Sequence, residues 1–287
     1  MPPLVSVPIS LLGILVRCLR GKSSIQSDMY EDNGVTKGGH DMFDLEDIAS
    51  LHIEDALKNT YDYKGQPVPR VTAVISKMIE EDGIKQWANS LGFHHQSYTR
   101  TLKELAILGT LTHNAISTYI MGNSIPIDAP QYPMDSFRLW WSSILHAGGQ
   151  VIGSEVPVVC DLYGGTYDLL LKMNDKMYLV DFKTSNHVTY KYWLQLAAYT
   201  RVLRQQGTKI DGLMILQLCK TDVAFREYVL DLSNPSHKEY LDICERTFMS
   251  LLYSYYHITY LERRFKNEWG TIQPTVIPRK DESDTIS

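Results

Sequence analysis

From Pro69 to Tyr260 the apolar residues switch repeatedly between helical and strand spacing, and the switches outline a fold. Pro69-Arg-Val-Thr leads into VTAVISKMI, whose apolar positions have helical spacing, with Thr72 as a capping residue. The same spacing predicts helices over Tyr98 to Met121 and over Asp135 to His146, the latter carrying Phe137, Leu139, Trp140, Trp141 and Ile144. After Gly148-Gly149 the period shortens to that of strands: VIGSEVPVV, GTYDLLLKM and KMYLVDFKT follow one another. A helix from Tyr190 to Gln206, the strands DGLMILQL and AFREYVLDL, and a long helix after Asn234-Pro235 complete the series. The aromatic stretch LLYSYYHITY, Leu251 to Tyr260, repeats with helical period and belongs to the core side of that last helix. The order of elements predicts an α/β (α+β) class: a mixed central β-sheet flanked by helices, with a helical N-terminal part.

Upstream of this region the pattern is lost. Residues 1–65 are expected to form an N-terminal extension and acidic linker, partly disordered, with the domain proper over 66–270 and a tail over 271–287. Nine acids lie between Asp28 and Asp55 against the single Lys37, the composition of a solvated segment. The apolar run at residues 4–16 contains Pro8 and is shorter than the roughly 20 residues that span a bilayer, so no membrane anchor is expected. It ends in Arg17, Arg20 and Lys22 with no acid before Asp28, a pattern compatible with an organellar transit peptide; an N-terminal extension of no targeting role is the favoured reading.

With 33 acids against 28 bases, the net charge of −5 gives no global attraction to nucleic acid, so any such binding needs a local basic groove. Cys18, Cys160, Cys219 and Cys244 are far apart and include no C-x-x-C pair, which excludes a zinc ribbon and fits a reducing compartment. His94-His95 and the other histidines show no metal-ligand spacing among themselves, and neither a G-x-S-x-G elbow nor a P-loop is present.

The chemistry concentrates around one hairpin. Asn174-Asp175 separates two strand-patterned runs and suits a two-residue turn, because Asn tolerates the positive φ that tight hairpin turns require. That turn pairs Leu170 with Leu179, Asp168 with Asp181 and Thr166 with Lys183. Asp181 and Lys183 then share a face, opposite Tyr178, Val180 and Phe182. Two acids placed opposite each other cost about 0.2–1 kcal/mol when exposed, and more when buried, unless a cation neutralises them. Carboxylate oxygens are the ligands Mg²⁺ and Mn²⁺ prefer, and a neighbouring lysine can hold a water and offset charge building on phosphorus. Taken alone, D-x-K equally describes an ion pair on a solvated strand.

Its company carries more. Gly109-Thr-Leu-Thr-His113, Glu155 in the first strand, Gly165-Thr-Tyr-Asp168, Asp181-Phe-Lys183 and Gln195-Leu-Ala-Ala-Tyr199 occur in the order in which the RecB-like branch of the PD-(D/E)XK nucleases arranges its G-x-x-x-H, glutamate, G-x-x-D, (D/E)-x-K and Q-x-x-x-Y elements. Over residues 69 to 262 the chain resembles that branch, which includes phage-type single-strand exonucleases and the mitochondrial genome maintenance exonuclease. It departs from the commonest pattern only in having Asp at position 181.

The resemblance implies a restriction-endonuclease-like core and a Mg²⁺- or Mn²⁺-dependent deoxyribonuclease, an exonuclease on single strands or DNA ends serving replication, repair or recombination. It assigns Lys183, Asp181, Asp168 and Glu155 to catalysis, and His113, Asp168, Asp181 and the Phe182 carbonyl to the metal. Gln195, Tyr199, Lys191, Trp193 and Arg100 would meet DNA, the last three through aromatic and basic clusters at Tyr190–Trp193 and Tyr98–Lys103. Other roles fit some of these residues as well. His113 could cap or fill a core, Glu155 could face solvent on an edge strand, and Gln195 with Tyr199 could brace helix against sheet. A C-terminal cysteine cluster, which some relatives use for an iron-sulfur centre, is missing, so no such centre and no fused helicase are expected. The expected setting is the cytoplasm of a bacterium or a phage-infected cell, with a mitochondrial one as the alternative. A structure-specific endonuclease and an inactive DNA-binding protein of the same fold are the rival functions.

Overall fold

The Asn174-Asp175 turn forms as its sequence suggests: both residues have positive φ, 50° and 59°, as a tight hairpin with right-handed strand twist requires. A computed structural model describes residues 60–80 and 83–270 of the chain, which fall within the unit Leu45–Ser287. The apolar N-terminal run, the acidic segment and the tail after residue 270 lie outside the described residues.

In chain order the elements are β1 (Thr60–Tyr63), β2 (Gln66–Pro69), α1 (Val71–Met78), α2 (Ile84–Phe93), α3 (Tyr98–Ile120), α4 (Gln131–His146), β3 (Gln150–Val159), β4 (Gly164–Met173), β5 (Lys176–Lys183), α5 (Tyr190–Gln205), β6 (Gly212–Leu218), β7 (Phe225–Asp231) and α6 (Pro235–Trp269). Strands β3 to β7 form one mixed sheet in sequence order; only β5 and β6 run parallel, joined by the helix α5. This is the mixed sheet flanked by helices that the periodicity predicts. Among the described residues no helix is long and apolar enough to cross a membrane.

Strand β5 is hydrogen-bonded on both sides and covered on both faces, so its alternating side chains enter two different cores. Val180 and Phe182 join Leu169, Leu171, Met214 and Leu216 against α3 and α4, where Phe137, Trp140 and Trp141 stack together. Leu179 joins Leu170, Leu213 and Ile215 against α1, α5 and α6. Asp181 and Lys183 continue the Leu179 side at the C-terminal end of the strand.

The described residues include, upstream of residue 66, the strand β1 from Thr60: its Tyr61 hydroxyl bonds Thr166 Oγ1 on β4 (2.7 Å), and Arg70, just after β2, bridges to Gly164. One helix departs from the sequence reading. The helix α2 was not expected, although Ile84, Trp87 and Leu91 sit at i, i+3 and i+7; it is only ten residues long and includes Gly92, both of which mask so short a period.

Candidate active site

The hairpin ladder runs from Met173↔Lys176 to Leu169↔Val180, in the expected register. The expected continuation to Asp168↔Asp181 and Thr166↔Lys183 is not part of it. Instead the Asp168 carboxylate reaches across and accepts the Phe182 backbone N–H at 2.6 Å, satisfying a donor the ladder leaves unmatched.

A second interruption faces the first. Between the pairs Ser154↔Leu169 and Val156↔Tyr167 the β3–β4 register skips Glu155 and Asp168, and Glu155 has φ of 53°. For a residue with a Cβ that conformation costs about 1–3 kcal/mol and persists only where the surroundings enforce it. Its effect is to turn the Glu155 carboxylate out of the ladder and towards α3. There His113 Nδ1 lies 3.2 Å from Asp168 Oδ1 and 3.8 Å from Glu155 Oε1. One ligand atom from each of these three residues lies within 4.8 Å of the others, close enough for a single cation to touch all three.

Asp181 and Lys183 form a second, adjoining group. The Lys183 ammonium donates to Asp181 Oδ1 at 2.8 Å and to Gln195 Oε1 at 3.3 Å, and stands 4.8 Å above the Tyr192 ring. The Gln195 amide also donates to Asp181 Oδ1 (3.0 Å) and to the Tyr199 hydroxyl (3.4 Å). Tyr192, Gln195 and Tyr199 are spaced i, i+3, i+7, so α5 presents them on one side. Tyr192 as the partner of Lys183 escaped the sequence reading, and this spacing was the signal that could have found it. Asp181 Oδ2 is buried and accepts no aligned hydrogen bond, although Lys183 Nζ approaches within 2.7 Å.

Gly165 has a steric reason to be glycine: a methyl group there would lie 2.2 Å from Tyr199 Cε1, so only hydrogen lets the ring close over the strand. At Gly109 a methyl would meet Thr184 Oγ1 at an ordinary 3.8 Å, and no such reason exists.

The electrostatics follow from burial. Burial alone would lower the His113 pKa, but the Asp168 carboxylate, assisted by Glu155, outweighs it and pushes the value up to about 10. Asp168 is lowered despite its own burial, because His113, Lys183 and the Phe182 N–H all favour the anion. Asp181 is raised to about 6, chiefly by burial and then by Asp168, against the pull of Lys183. Burial works against the Lys183 charge too, yet the two aspartates raise its pKa.

These directions set a pH dependence for the metal-free protein. A His113 pKa raised from 6.5 gives a stabilisation that is whole below pH 6.5 and is lost as the pH climbs through 10. The raised Asp181 behaves alike at lower pH, its contribution fading between 3.8 and about 6, whereas the lowered Asp168 contributes above 3.8 and loses its effect on acidification. In EDTA, the melting temperature should therefore fall from pH 6.5 to 10, and fall less in His113→Asn. Equal slopes for the two proteins would show that no proton is held between His113 and Asp168.

The strained backbone at Glu155 makes a separate prediction. Glu155→Gly relieves the positive φ at the cost of a floppier unfolded chain, for a net gain of up to about 1 kcal/mol in urea unfolding. Loss of stability instead would mean that the carboxylate, not the site's geometry, holds this segment.

Of the five residues assigned to DNA, Gln195 and Tyr199 are buried, Lys191 and Trp193 are partly buried and Arg100 is exposed. Gln195 and Tyr199 are 8% and 3% exposed, and Gln195 is hydrogen-bonded to Asp181 and Tyr199. Lys191 donates to the carbonyls of Ile79 and Glu80 just beyond the end of α1, a helix C-terminal cap. Trp193 packs against the core and meets the Tyr240 ring at right angles, and Arg100 is exposed but paired with Glu104 at 2.8 Å.

No protein-family profile and no curated protein sequence matches the chain. Among solved structures, the crystal structure of SSO0001 is similar over 71% of this chain and 85% of its own, at 13% identity and a TM-score of 0.34. A candidate exonuclease from Eubacterium rectale is similar over 52% of this chain and 66% of its own, at 13% identity and a TM-score of 0.32. The function must follow from the site's own geometry.

Proposed function

We propose that the protein is a divalent-metal-dependent nuclease of the PD-(D/E)XK type that hydrolyses DNA, acting as an exonuclease on single strands or ends. The observation that carries this reading is the meeting, from α3, β3, β4 and β5, of His113, Glu155, Asp168, Asp181 and Lys183 where the β4–β5 ladder ends and the β3–β4 ladder skips a pair. Structural ion pairs do not need a strained glutamate, two buried aspartates and a partly buried lysine together.

The donor set suits Mg²⁺ or Mn²⁺: buried carboxylates dominate, and the buried Asp181 Oδ2 has no aligned donor. His113 and Asp168, with Glu155 beside them and Asp181 and the Phe182 carbonyl on the next strand, would hold the ion. When bound, it would acidify a water and neutralise phosphate oxygens. The chain's own contribution is positional. Gln195 fixes Asp181 and Lys183 relative to each other, and Tyr192 and Asp181 keep the ammonium charged and aimed. The Lys183 charge faces the place where negative charge grows on a phosphate under attack.

The test is loss of label from end-labelled linear single-stranded DNA in Mg²⁺, Mn²⁺ or EDTA, beside circular single-stranded DNA. Metal-dependent digestion of the linear strand with the circle intact is expected. Cutting of the circle would make the enzyme an endonuclease, and an intact linear strand in both metals would end the nuclease reading.

A further inference from the structure

Immediately beyond Lys183, a cavity of about 400 Å³ opens at the C-terminal ends of the parallel strands β5 and β6. In sheets with parallel neighbours this end is where ligands are received. Its walls include Thr184, Ser185, Asn186, Lys220, Thr221 and Arg226. Two of these are cations and none of the lining residues is a carboxylate, in a chain whose net charge is −5. Such a local reversal of sign selects an anion.

The cationic wall is braced to the catalytic strand. Arg226 donates to the Tyr228 hydroxyl (3.3 Å), Tyr228 donates to Gln217 Oε1 (3.3 Å), and the Gln217 amide donates to the Ser185 carbonyl (2.8 Å). A charge on β7 is thus fixed relative to the loop that follows Lys183, so a phosphate held there has a set position with respect to the site. The volume is near the lower end of the roughly 300–1,000 Å³ of ligand pockets, which suits one unstacked nucleotide and not a duplex.

We infer that this cavity receives a nucleotide of a single-stranded substrate adjoining the bond to be cut, its phosphate held by Lys220 and Arg226. The inference rests on the nuclease reading and adds where a nucleotide of the strand is seated and the residues that hold its phosphate.

The probe is a fluorescein-labelled oligothymidylate, titrated by anisotropy in EDTA across a range of KCl, beside the digestion assay. Each phosphate contact on a single strand adds about 0.7 to the slope of log affinity against log salt, so Lys220→Ala/Arg226→Ala should lower the slope by about 1.4 and weaken binding roughly tenfold at low salt. Arg226→Lys should keep most of the slope, and Lys209→Ala, before the opposite end of β6, all of it. If the wild type digests DNA but the double substitution leaves the slope unchanged, or Lys209→Ala lowers it equally, the cavity is not the seat. A wild type that neither binds nor digests the strand removes the nuclease reading along with it.

Discussion

Lys183→Ala should reduce metal-dependent digestion of linear single-stranded DNA by at least about 10³-fold while leaving binding of the strand within a few-fold. The ammonium is held on Asp181 and Gln195 and over Tyr192 before any substrate arrives, so no reorganisation is needed when charge develops on the phosphate. Removing a single pre-aimed donor of this kind costs about 10²–10³ in rate. The loss here should be larger, because Asp181 without its cation would protonate more readily still. Lys183→Arg should not restore activity, since a planar guanidinium cannot occupy the compact position between Asp181, Gln195 and Tyr192. Asp181→Asn should be comparably inactive. Retention of more than a tenth of wild-type activity by Lys183→Ala would remove this residue from the chemistry, whatever the metal does.

The second large effect concerns stability. Trp140→Ala should cost about 3–5 kcal/mol in urea unfolding, with the midpoint lowered and the slope unchanged. Trp140 is fully buried between Phe137, Trp141 and Phe182, with ring centroids 5.7, 5.9 and 6.4 Å away, and its indole N–H donates to Glu227 on β7 at 2.5 Å. The substitution empties the middle of the core that lies under β5. Against a typical total of about 5–15 kcal/mol, such a loss would take a large share of the stability. It should also impair the site at a distance, because Phe182 anchors the backbone N–H that Asp168 accepts. Trp140→Phe, which keeps most of the ring contacts, should cost clearly less. A loss below about 1.5 kcal/mol for Trp140→Ala would mean that α4 is not the main support of β5.

Much of this was legible in the chain. Alternation fixed which side chains of β5 point each way, and Asn174-Asp175 set the hairpin register, because a two-residue turn of positive-φ residues leaves only one way to pair Leu170 and Leu179. Helical period placed α1, α3, α4, α5 and α6 to within a few residues, since each buries a continuous apolar stripe. The order of the G-x-x-x-H, G-x-x-D, D-x-K and Q-x-x-x-Y groups pointed to the residues that the fold gathers. Such information is local: period, turn chemistry and spacing act between residues close in the chain.

What tertiary structure decided involves groups far apart in sequence that meet only when the sheet closes. The β4–β5 ladder stops short of Asp168, the β3–β4 ladder skips Glu155 and Asp168, and the positive φ of Glu155 falls at that gap. None of this follows from the sequence VIGSEVPVV, in which glutamate has no local reason to leave the strand. Burial divided the roles as well. Gln195 and Tyr199 occupy the inner face of α5 and brace the aspartate and lysine, and Lys191 caps α1, because those faces close against β5 and α1. The need for glycine at 165 likewise comes from a tyrosine on another element. A sequence can specify which residues have chemistry to offer, but the distances that make them one site are set by the packing of α3, α4 and α5 on the two faces of a single sheet.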